Sequence, residues 1–396
     1  MNSLASANRD NLVHRTEVEH YELIVIGGGI TGAGIALDAT LRGLKTVLLE
    51  KDDFASGTSS KSTKLVHGGL RYLKQFEFGL VREVGRERAI VHHLAPHLVI
   101  NEKMILPLIK GGTYGRLMTS LGLMVYDHLA GVEPEDRRKM LSKRRTLELE
   151  PLIREDLLKG SGIYAEYRTD DARLTLEVLK TADQKDADVL NYAQVEDFIM
   201  SEGKVRGVVW QDRLTGEQHR LHARHVINAA GPWVDQLRKT DNSLKDKFLR
   251  PTKGVHIVVP RERLPIDHTI YFDVPDGRMI FAIPRDRTVY IGTTDTDYKG
   301  DLDAVRTDLA DVEYLIAGVN HLFPDAGLKV ADVESSWAGL RPLIAEEGKS
   351  ASEVSRKDEI FESESGLLSI AGGKLTGYRK MAERIVGRVA VCAAPG

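Results

Sequence analysis

Thiols are almost absent from this chain of 396 residues, because Cys392 is its single cysteine. One thiol cannot form an internal disulfide, which favours a protein of the reducing cytoplasm. Apolar runs are short as well, and no window approaches the ~20 apolar residues of a membrane-spanning helix. The polar residues 1–20 contain no apolar segment, which argues against a secretion signal and predicts a flexible N-terminal tail. Peripheral attachment to the inner face of the cell membrane stays open.

Net charge and sets of metal ligands are also scarce. The formal net charge is −3 at pH 7, which argues against a general affinity for nucleic acid. His92, His93 and His97 are close in sequence, but no carboxylate or cysteine completes a metal-binding set around them. We therefore expect these histidines to lie on the surface or to hydrogen-bond within the protein, and we predict no metal site.

A glycine-rich turn between a strand and a helix dominates the N-terminal part of the chain. The apolar run 21–26 is short and rich in branched residues, as buried parallel strands are. Gly27, Gly29 and Gly32 then follow the spacing G-x-G-x-x-G directly before a predicted helix. Gly27 permits a tight turn, Gly29 lets the backbone approach a pyrophosphate, and Gly32 lets the helix pack on the strand. Helix amides and the helix dipole would face the phosphates, so this segment indicates dinucleotide binding.

An acidic residue and a hydroxyl-rich segment follow the second predicted strand. That strand, at 46–49, ends in Glu50, where an acid can bind the ribose hydroxyls of adenosine. Residues 52–64 are rich in Gly, Ser and Thr, a composition that is common in flexible loops. Because the segment follows a ribose-binding acid, we favour the alternative that it lines a phosphate or flavin with hydroxyls and amides.

The remaining chain is long enough to complete two or three domains. The βαβ pattern resumes at Gly162 and leads to a strand that ends at Ala230 and Gly231, where small residues let the backbone approach a cofactor. Residues 251–300 alternate apolar and polar positions between turns, which predicts an antiparallel sheet. Residues 366–391 read as strand, glycine turn and helix, so they offer a second helix N-terminus to the same ligand.

Eight motifs distributed along the chain are more specific than the glycine fingerprint. They are IGGGITGAGIALDA, SSKSTKLVHGGLRYL, MVYDHLAG, NAAGPWVD, KGVHIVVP, IGTTDTDYKGD, GLRPL and GGKLTGYRKMAE. Together they resemble the FAD-dependent glycerol-3-phosphate dehydrogenase family, within the D-amino-acid-oxidase-like flavoproteins. The resemblance runs from about Tyr21 to the C-terminus. The fingerprint alone would not separate this family from other nucleotide-binding proteins, but HGGLRYL and GGKLTGYR in one chain nearly do.

The resemblance implies an α/β fold, in which a Rossmann-like FAD-binding domain carries a discontinuous substrate domain built on an antiparallel sheet. We expect the FAD-binding domain at 21–98, 162–250 and 336–396, and the substrate-binding or cap domain at 99–161 and 251–335. Family members usually continue into a helical C-terminal domain, whereas this sequence stops at Gly396. That difference leaves the oligomeric state open, including a homodimer, but it does not affect the expected cofactor site.

The resemblance also assigns residues to the cofactor, FAD, along most of the chain. The expected contacts are Gly27, Gly29, Ile30, Thr31, Gly32, Glu50, Lys51, Thr58, Ser59, Ser60, Ser62, Thr63, Lys64, Val195, Ala230, Gly231, Gly339, Gly372, Gly373, Lys374, Leu375 and Thr376.

The implied reaction is the oxidation of sn-glycerol 3-phosphate to dihydroxyacetone phosphate, with a hydride passing from C2 to FAD N5 and a proton to a base. Most members pass the electrons on to a membrane quinone. The substrate phosphate requires cations, and arginine can bind its oxygens with two parallel hydrogen bonds. The expected catalytic residues are the cations Arg71, Arg341 and Lys374, the hydroxyl donor Tyr72, and His67 or His256 as the base. We slightly prefer His256.

Four other functions compete with this prediction. A glycerol-3-phosphate oxidase would use oxygen as the acceptor, and an amine or amino-acid oxidase would bind a carboxylate with its arginines. A NAD-linked dehydrogenase is less favoured, because a second cofactor contact at GGKLTGYR suits a long and permanently held FAD. A non-catalytic protein that binds flavin would hold FAD without being reduced by glycerol 3-phosphate.

Overall fold

The computed structural model describes residues 4, 6–66, 78–112, 115–130, 136–245, 247–345 and 357–393. Its helices are α1 (Arg9–Val18), α2 (Ile30–Leu41), α3 (Phe78–Leu94), α4 (Arg116–Ala130), α5 (Lys143–Leu149), α6 (Asp171–Asp183), α7 (Val234–Thr240), α8 (Leu309–Leu322) and α9 (Tyr378–Ala393). Its strands are β1 (Tyr21–Ile26), β2 (Thr46–Leu49), β3 (Leu65–Val66), β4 (Ile100–Ile109), β5 (Lys139–Ser142), β6 (Leu158–Arg168), β7 (Asp188–Leu190), β8 (Ala193–Ser201), β9 (Lys204–Asp212), β10 (Gln218–Asn228), β11 (Leu249–Pro260), β12 (Thr269–Asp273), β13 (Met279–Arg285), β14 (Thr288–Gly292), β15 (Thr296–Asp297), β16 (Ser335–Ile344), β17 (Asp358–Glu362) and β18 (Leu368–Gly372).

Within the described ranges, an eight-stranded first sheet carries the glycine turn. Its order is β17-β18-β10-β1-β2-β7, and the β8–β9 pair extends from β10. β1 lies parallel to both β10 and β2, β2 lies parallel to β7, and β10 lies parallel to β18. All four residues of β2 are buried, as expected for a parallel strand that is covered on both faces. The carboxyl ends of these parallel strands therefore meet at one edge of the sheet.

Helices α2, α6 and α9 pack on the first sheet through an apolar core. Leu23 and Leu48 of the sheet are fully buried in this core with Ile35 of α2 and Ile385 of α9. α2 and α9 pack closely at Gly34, where an added Cβ atom would lie only 2.7 Å from the Tyr378 ring. The small residues of α2 thus let the N-terminal and C-terminal parts of the chain share one core. The α/β class and the Rossmann-like arrangement predicted from the sequence are confirmed.

The second sheet is ten-stranded in the described part of the chain. Its order is β15-β11-β14-β13-β12-β4-β6-β3, with β16 paired to β11 and β5 paired to β6. β11 to β14 are antiparallel, as the alternating pattern of residues 251–300 predicts. Ile257, Phe272 and Ile291 on these strands form a second core with Leu315 of α8. This core is separate from the core under α2 and α9, so each sheet has its own apolar support.

The membership of three strands differs from the expected domain division. β6 pairs with β4 along its length, β3 pairs with β6, and β16 pairs with β11 over ten residues. Residues 65–66, 162–168 and 336–344, expected in the FAD-binding domain, therefore belong to the second sheet. The sequence pattern reports that these segments are strands, but not which sheet edge they join. We propose that the domain boundaries be moved to place β3, β6 and β16 with the second sheet.

The prediction of a flexible tail at residues 1–20 is wrong for residues 9–18, which form the helix α1. Leu12 is buried against the β9–β10 side of the first sheet. Arg9 donates hydrogen bonds to the Asn191 carbonyl at 2.8 Å and to Asp212 at 3.0 Å, and Arg15 lies 2.9 Å from Asp188. α1 is held mainly by ion pairs with residues far along the chain, so its polar sequence gives little sign of an anchored helix.

Neither a membrane span nor a metal cluster occurs in the ranges described. No helix there combines the length and apolarity needed to cross a bilayer. No group of three or more histidine, cysteine or acidic side chains there is arranged to hold a metal ion. His92 hydrogen-bonds within the protein, since its Nδ1 lies 2.6 Å from the Val99 carbonyl oxygen.

A buried carboxylate anchors the start of β12 and makes stability depend on pH. Glu150 Oε1 lies 2.7 Å from His268 Nδ1 and accepts the backbone N–H groups of Asp267 and His268. This hydrogen bond raises the pKa of His268 above its ordinary value of 6.5. The protonated imidazole therefore stabilises the fold below about pH 6.5, and the contribution is lost as the pH rises through the raised pKa.

His268→Gln is expected to lower the melting temperature at about pH 6 and to have less effect at about pH 9. Because the side chain is partly exposed, solvent screening should limit the difference to about 1–2 °C. Thermal unfolding in matched buffers measures it. His222→Gln, which changes an exposed histidine on β10, serves as the control. A loss that is equal at both pH values would show that protonation of His268 does not contribute.

Candidate active site

A cavity of about 1210 Å³ lies at the carboxyl ends of β1, β2, β10 and β18 and is also lined by residues of the second sheet. In open α/β sheets, ligands bind at this edge of the strands. The residues expected at the cofactor that line this cavity are Gly27, Gly29, Ile30, Thr31, Glu50, Lys51, Thr58, Ser59, Ser62, Thr63, Val195, Ala230, Gly231, Gly339, Gly372, Gly373, Lys374, Leu375 and Thr376. Of the expected catalytic residues, Arg341 and Lys374 line it.

Several expected site residues lie elsewhere. Gly32 lies below the turn, and the Ser60 hydroxyl is directed to the Gly57 carbonyl at 3.4 Å. Lys64 forms an ion pair with Asp171 at 2.6 Å. These three therefore support the cavity wall instead of lining it. His67, Arg71 and Tyr72 lie outside the described residues.

The first glycine turn leaves no room for side chains at two positions. Gly27 has a φ of +114°, and a Cβ atom there would lie 2.5 Å from the Ala229 carbonyl oxygen. A Cβ atom at Gly32 would lie only 1.8 Å from the Gly27 carbonyl oxygen. The turn is therefore packed against both β10 and the first turn of α2, and its shape depends on glycine.

The loop that follows β2 is fixed onto this turn by hydroxyl groups. The Ser59 hydroxyl accepts the Ile30 amide at 2.9 Å, at the N-terminus of α2. Thr58 donates to the Leu340 carbonyl on β16 at 2.6 Å. The hydroxyl-rich segment thus connects the glycine turn to the second sheet, which agrees with a lining segment and not with a flexible loop.

Glu50 lies at the end of β2 with its carboxylate on the cavity wall. One oxygen accepts the Gly28 amide at 2.6 Å, and the other accepts the Asp52 amide at 2.9 Å. Burial raises the pKa of this carboxyl above its ordinary value, although both amide donors favour the charged form. These two hydrogen bonds fix the carboxylate where an acid could accept hydroxyl donors from a ligand.

A second glycine turn enters the same cavity from the C-terminal part of the chain. Gly372 and Gly373 have φ values of +78° and +75°. A Cβ atom at Gly373 would lie 2.5 Å from Met381 Sδ on α9. Lys374 follows this turn and lines the cavity before the chain enters a short 3₁₀ turn, Leu375–Gly377, and α9. The cavity therefore receives backbone from both ends of the fold.

Lys51, Trp233 and Asp303, which we call the Lys51 latch, all line the cavity. The Lys51 ammonium lies 4.0 Å from the centre of the Trp233 ring and forms an ion pair with Asp303. Lys51 follows β2 of the first sheet, whereas Asp303 precedes α8, which packs on the second. The latch thus joins the two parts of the protein at the cavity wall.

Asp303→Asn is expected to accelerate the release of bound FAD, because it removes the charge that holds the latch. Exposed ion pairs contribute up to about 1 kcal/mol, so the dissociation rate should rise by up to about fivefold. The recovery of flavin fluorescence after dilution measures this rate. Asp156→Asn, which breaks the exposed pair with Arg154, is the control. An unchanged rate would mean that the latch does not retain FAD.

Arg341 on β16 presents its guanidinium at the cavity wall. Its Nη1 donates to Asp295 at 2.7 Å and to the Thr294 carbonyl at 2.9 Å, and its Nη2 donates to the Thr293 hydroxyl at 2.5 Å. The guanidinium lies against Gly254, where a Cβ atom would come within 2.5 Å of both Nη atoms. Hydrogen-bond acceptors therefore hold the guanidinium on one side, and the missing side chain of Gly254 leaves space for it on the other.

His256, the preferred base, does not line the cavity. Its ring is completely buried on β11, and it stacks on Trp337 with 4.8 Å between ring centres. Its Nε2 lies 3.1 Å from the hydroxyl of Thr63, which does line the cavity. Burial, and then the charges of Arg341 and Lys64, lower the pKa of His256 well below its ordinary value. The imidazole is therefore neutral at neutral pH, and its Nε2 is linked to the cavity through the Thr63 hydroxyl.

Sequence reasoning missed several cavity residues. Trp233 and Asp295 stand within motifs already noted, NAAGPWVD and IGTTDTDYKGD, and their position at strand ends could have suggested them. Lys61 lies in the hydroxyl-rich segment beside the chosen Lys64, and it is Lys61 that lines the cavity. The cavity-lining residues absent from the expected set include Lys61, Trp233, Thr293, Asp295 and Asp303.

Comparison with known proteins identifies the family. The profile of the FAD dependent oxidoreductase family matches residues 22–379. The aerobic glycerol-3-phosphate dehydrogenase of Staphylococcus haemolyticus is 56% identical over 386 residues, which cover 97% of this chain and 69% of that protein. The chain belongs to the glycerol-3-phosphate dehydrogenase family of FAD-dependent oxidoreductases. Another relative, the aerobic glycerol-3-phosphate dehydrogenase of Bacillus subtilis, is 56% identical over 382 residues, or 96% of this chain and 69% of that protein.

Solved structures agree with membership of the glycerol-3-phosphate dehydrogenase family. The glycerol-3-phosphate dehydrogenase from Bacillus halodurans, complexed with FAD, is 50% identical with a TM-score of 0.82, over 97% of this chain and 67% of that one. Glycine oxidase from Geobacillus kaustophilus has a TM-score of 0.72 at 21% identity, over 94% of this chain and 95% of that one. The second likeness shows a shared fold and carries no argument about the substrate.

Proposed function

We propose that this protein oxidises sn-glycerol 3-phosphate to dihydroxyacetone phosphate with FAD as cofactor, and that a quinone accepts the electrons. The observation that carries the proposal is that both glycine turns, Arg341 and Lys374 line one cavity. The turns suit a dinucleotide, and the two cations suit a phosphorylated substrate beside it. Membership of the glycerol-3-phosphate dehydrogenase family supports the same assignment.

The residues of the cavity fit FAD. The first turn excludes side chains at Gly27 and Gly32 and directs backbone towards the cavity, which suits a pyrophosphate. The Glu50 carboxylate, fixed by two amides, suits ribose hydroxyls. The second turn at Gly373 offers backbone from the C-terminal side. We propose that these three features hold the cofactor.

The chemistry requires one hydride acceptor and one proton acceptor. Oxidation of the secondary alcohol removes the hydrogen of C2 with its electron pair and the proton of the hydroxyl group, and a ketone remains. FAD supplies the hydride acceptor when it is bound. We propose that Arg341 and Lys374 bind the phosphate and thereby place C2 correctly, since fixed orientation is a large part of rate enhancement.

We retain His256 as the proposed proton acceptor, with Thr63 as its route to the substrate. The lowered pKa keeps the imidazole unprotonated before the reaction, but burial and the charges of Arg341 and Lys64 also oppose its protonation, so the proposal rests on the contact geometry. The 3.1 Å contact between His256 Nε2 and the Thr63 hydroxyl allows a proton to move from the cavity to the buried ring. His67 stays the competing proposal, and His256→Gln and His67→Gln, compared in flavin reduction rate, discriminate between them.

Anaerobic mixing of the purified yellow protein with sn-glycerol 3-phosphate tests the proposal. One equivalent should bleach the visible flavin absorbance, whereas glycerol, which lacks the phosphate, and sarcosine or proline, which carry a carboxylate, should not. Bleaching by the amino acids alone would favour an amine or amino-acid oxidase. A flavin that stays oxidised with every compound would overturn the assignment and favour a protein that only binds FAD.

The electron acceptor is tested separately, after reduction. With a soluble quinone present in air, we expect quinone reduction to account for the substrate consumed and peroxide to be a minor product. Peroxide equal to the substrate consumed would instead indicate a glycerol-3-phosphate oxidase.

A membrane contact is the last part of the proposal, and one surface supports it. Met118, Leu121 and Met124 are exposed on α4 at helical spacing. The inner face of α4 packs on β6 at Gly162, where a Cβ atom would lie 2.8 Å from Leu123 of α4 and 3.7 Å from Met140 of the adjacent β5. The exposed basic residues of the neighbouring segment are Arg137, Lys139, Arg144 and Arg145. An apolar helix face beside basic residues suits an anionic lipid surface.

Sedimentation with phosphatidylglycerol vesicles, compared with phosphatidylcholine vesicles, tests this contact. We expect binding to the anionic vesicles and a clear loss of binding when the three α4 residues are changed to serine. Equal sedimentation of the serine variant would remove this surface from the proposal.

A further inference from the structure

Arg341 is held at the cavity wall by hydrogen-bond acceptors on the segment that follows β14. Asp295 and Thr293 both line the cavity and both accept hydrogen bonds from the guanidinium, at 2.7 and 2.5 Å. Arg341 and Asp295 are mostly buried, with 17% and 12% of their side chains exposed. An arginine that needed only to carry charge could lie free in solvent, whereas this one is fixed in direction by acceptors from the segment after β14.

The opposite side of the guanidinium lies on bare backbone. Gly254 and Gly339 are partners in register on β11 and β16, so any side chains there would project from the same face of the sheet. The guanidinium occupies the space above Gly254, and the Lys61 Cβ occupies the space above Gly339. Gly254 and Gly339 thus leave space for Arg341 and Lys61 beside each other at the cavity. Asp295 accepts a hydrogen bond from the guanidinium of Arg341.

We propose that Asp295 is a positioning residue, which holds the Arg341 guanidinium in the direction that binds the substrate phosphate. The inference rests on the proposed function and deepens it. A carboxylate beside a phosphate site lowers the affinity for phosphate by charge repulsion. We therefore expect the Asp295 carboxylate to provide a compensating gain in phosphate binding. Bidentate binding of phosphate depends strongly on the plane of the guanidinium, and fixing that plane is such a gain.

Two substitutions at this position separate orientation from charge. Asp295→Ala removes both the carboxylate charge and the acceptor, whereas Asp295→Asn removes the charge and keeps an acceptor oxygen. If orientation matters, Asp295→Ala should weaken the binding of dihydroxyacetone phosphate about 10–100-fold. Asp295→Asn should restore binding to within about threefold of wild type, because the amide oxygen still accepts from Arg341.

The chain offers a matched control two residues away. Asp297 forms a bidentate pair with Arg250, with both contacts at 2.6 Å, on the exposed side of the same segment. Asp297→Ala deletes an arginine–carboxylate pair of the same kind without touching the cavity. It should leave the affinity for dihydroxyacetone phosphate, the flavin content and the turnover unchanged.

The experiment is a calorimetric titration of the FAD-loaded proteins with dihydroxyacetone phosphate, together with kcat and KM for sn-glycerol 3-phosphate. Asp295→Ala should raise KM more than it lowers kcat, with flavin content near that of wild type. Tighter binding, or binding within twofold of wild type, overturns the inference. A wild-type protein that binds no dihydroxyacetone phosphate overturns the proposed function and this inference with it.

A second variant covers the case in which Asp295→Ala does not fold. Thr293→Val removes a second side-chain acceptor of Arg341 and should weaken binding about threefold to tenfold. Unchanged binding in Thr293→Val, together with an Asp295→Ala protein that does not fold, would assign Asp295 to the fold alone and overturn the inference.

Discussion

Gly32→Ala is expected to yield a protein that binds almost no FAD. The new Cβ atom would lie 1.8 Å from the Gly27 carbonyl oxygen, which belongs to backbone and cannot rotate away. The first turn of α2 would have to move off β1, and the amides of the glycine turn would lose their common direction. Overpacking of this severity costs about 3 kcal/mol or more, so the affinity should fall at least ~100-fold. Flavin absorbance per protein after gel filtration, and titration with added FAD, measure the loss.

The control for this prediction is another glycine in a helix. Gly79 lies in α3, and an added Cβ atom there meets nothing within 4 Å. Gly79→Ala should keep its flavin and gain slightly in stability, since alanine is the better helix former by about 0.5–1 kcal/mol. If Gly32→Ala retained a full complement of FAD, the proposed place of the pyrophosphate would be wrong.

Arg341→Ala is expected to give a yellow protein that turns over slowly. The substitution deletes a guanidinium from the cavity wall but leaves both glycine turns and Glu50 unchanged. Charge-assisted hydrogen bonds contribute about 1.5–3 kcal/mol each, so kcat/KM for sn-glycerol 3-phosphate should fall about 100-fold. Most of the change should appear in KM, and flavin content should stay near that of wild type. Steady-state kinetics with an artificial acceptor and the visible spectrum measure the two quantities.

Arg250→Ala tests whether the loss is specific to the cavity. Arg250 lies on the neighbouring strand β11 and pairs with Asp297 on the exposed surface. Its removal should leave kcat/KM within about twofold, as is usual for exposed ion pairs. Equal kinetics in wild type and Arg341→Ala would exclude Arg341 from the substrate site and weaken the argument for a phosphorylated substrate.

The parts of the site that are local in sequence could be predicted, and the long-range parts could not. Gly27, Gly29 and Glu50 follow from one strand–turn–helix unit, whose spacing is itself the signal. The Arg341–Asp295 pair joins residues 46 positions apart, and the Lys51–Asp303 pair joins residues 252 positions apart. Such contacts depend on which strands become neighbours, and no periodicity within either segment reports that.

His256 shows the same limit on one strand. The alternation of β11 correctly places it in an antiparallel sheet, but period-two patterns leave open which face meets the ligand. Here one hydroxyl, that of Thr63, separates the ring from the cavity. The contacts that anchor α1 could not be predicted for a related reason. The ion pairs of α1 join it to residues of β7 and β9 that are about 170–200 positions away in sequence.

The use of two distant glycine turns has a consequence during synthesis. The second turn leaves the ribosome roughly 350 residues after the first, and at about 5–20 residues per second this delay is roughly 20–70 s. During that time the nascent N-terminal unit displays an apolar face that α9 has yet to cover. In the proposed site, FAD can therefore meet both turns only after the second turn has been synthesised, and its binding should then follow the free flavin concentration in the cell by mass action.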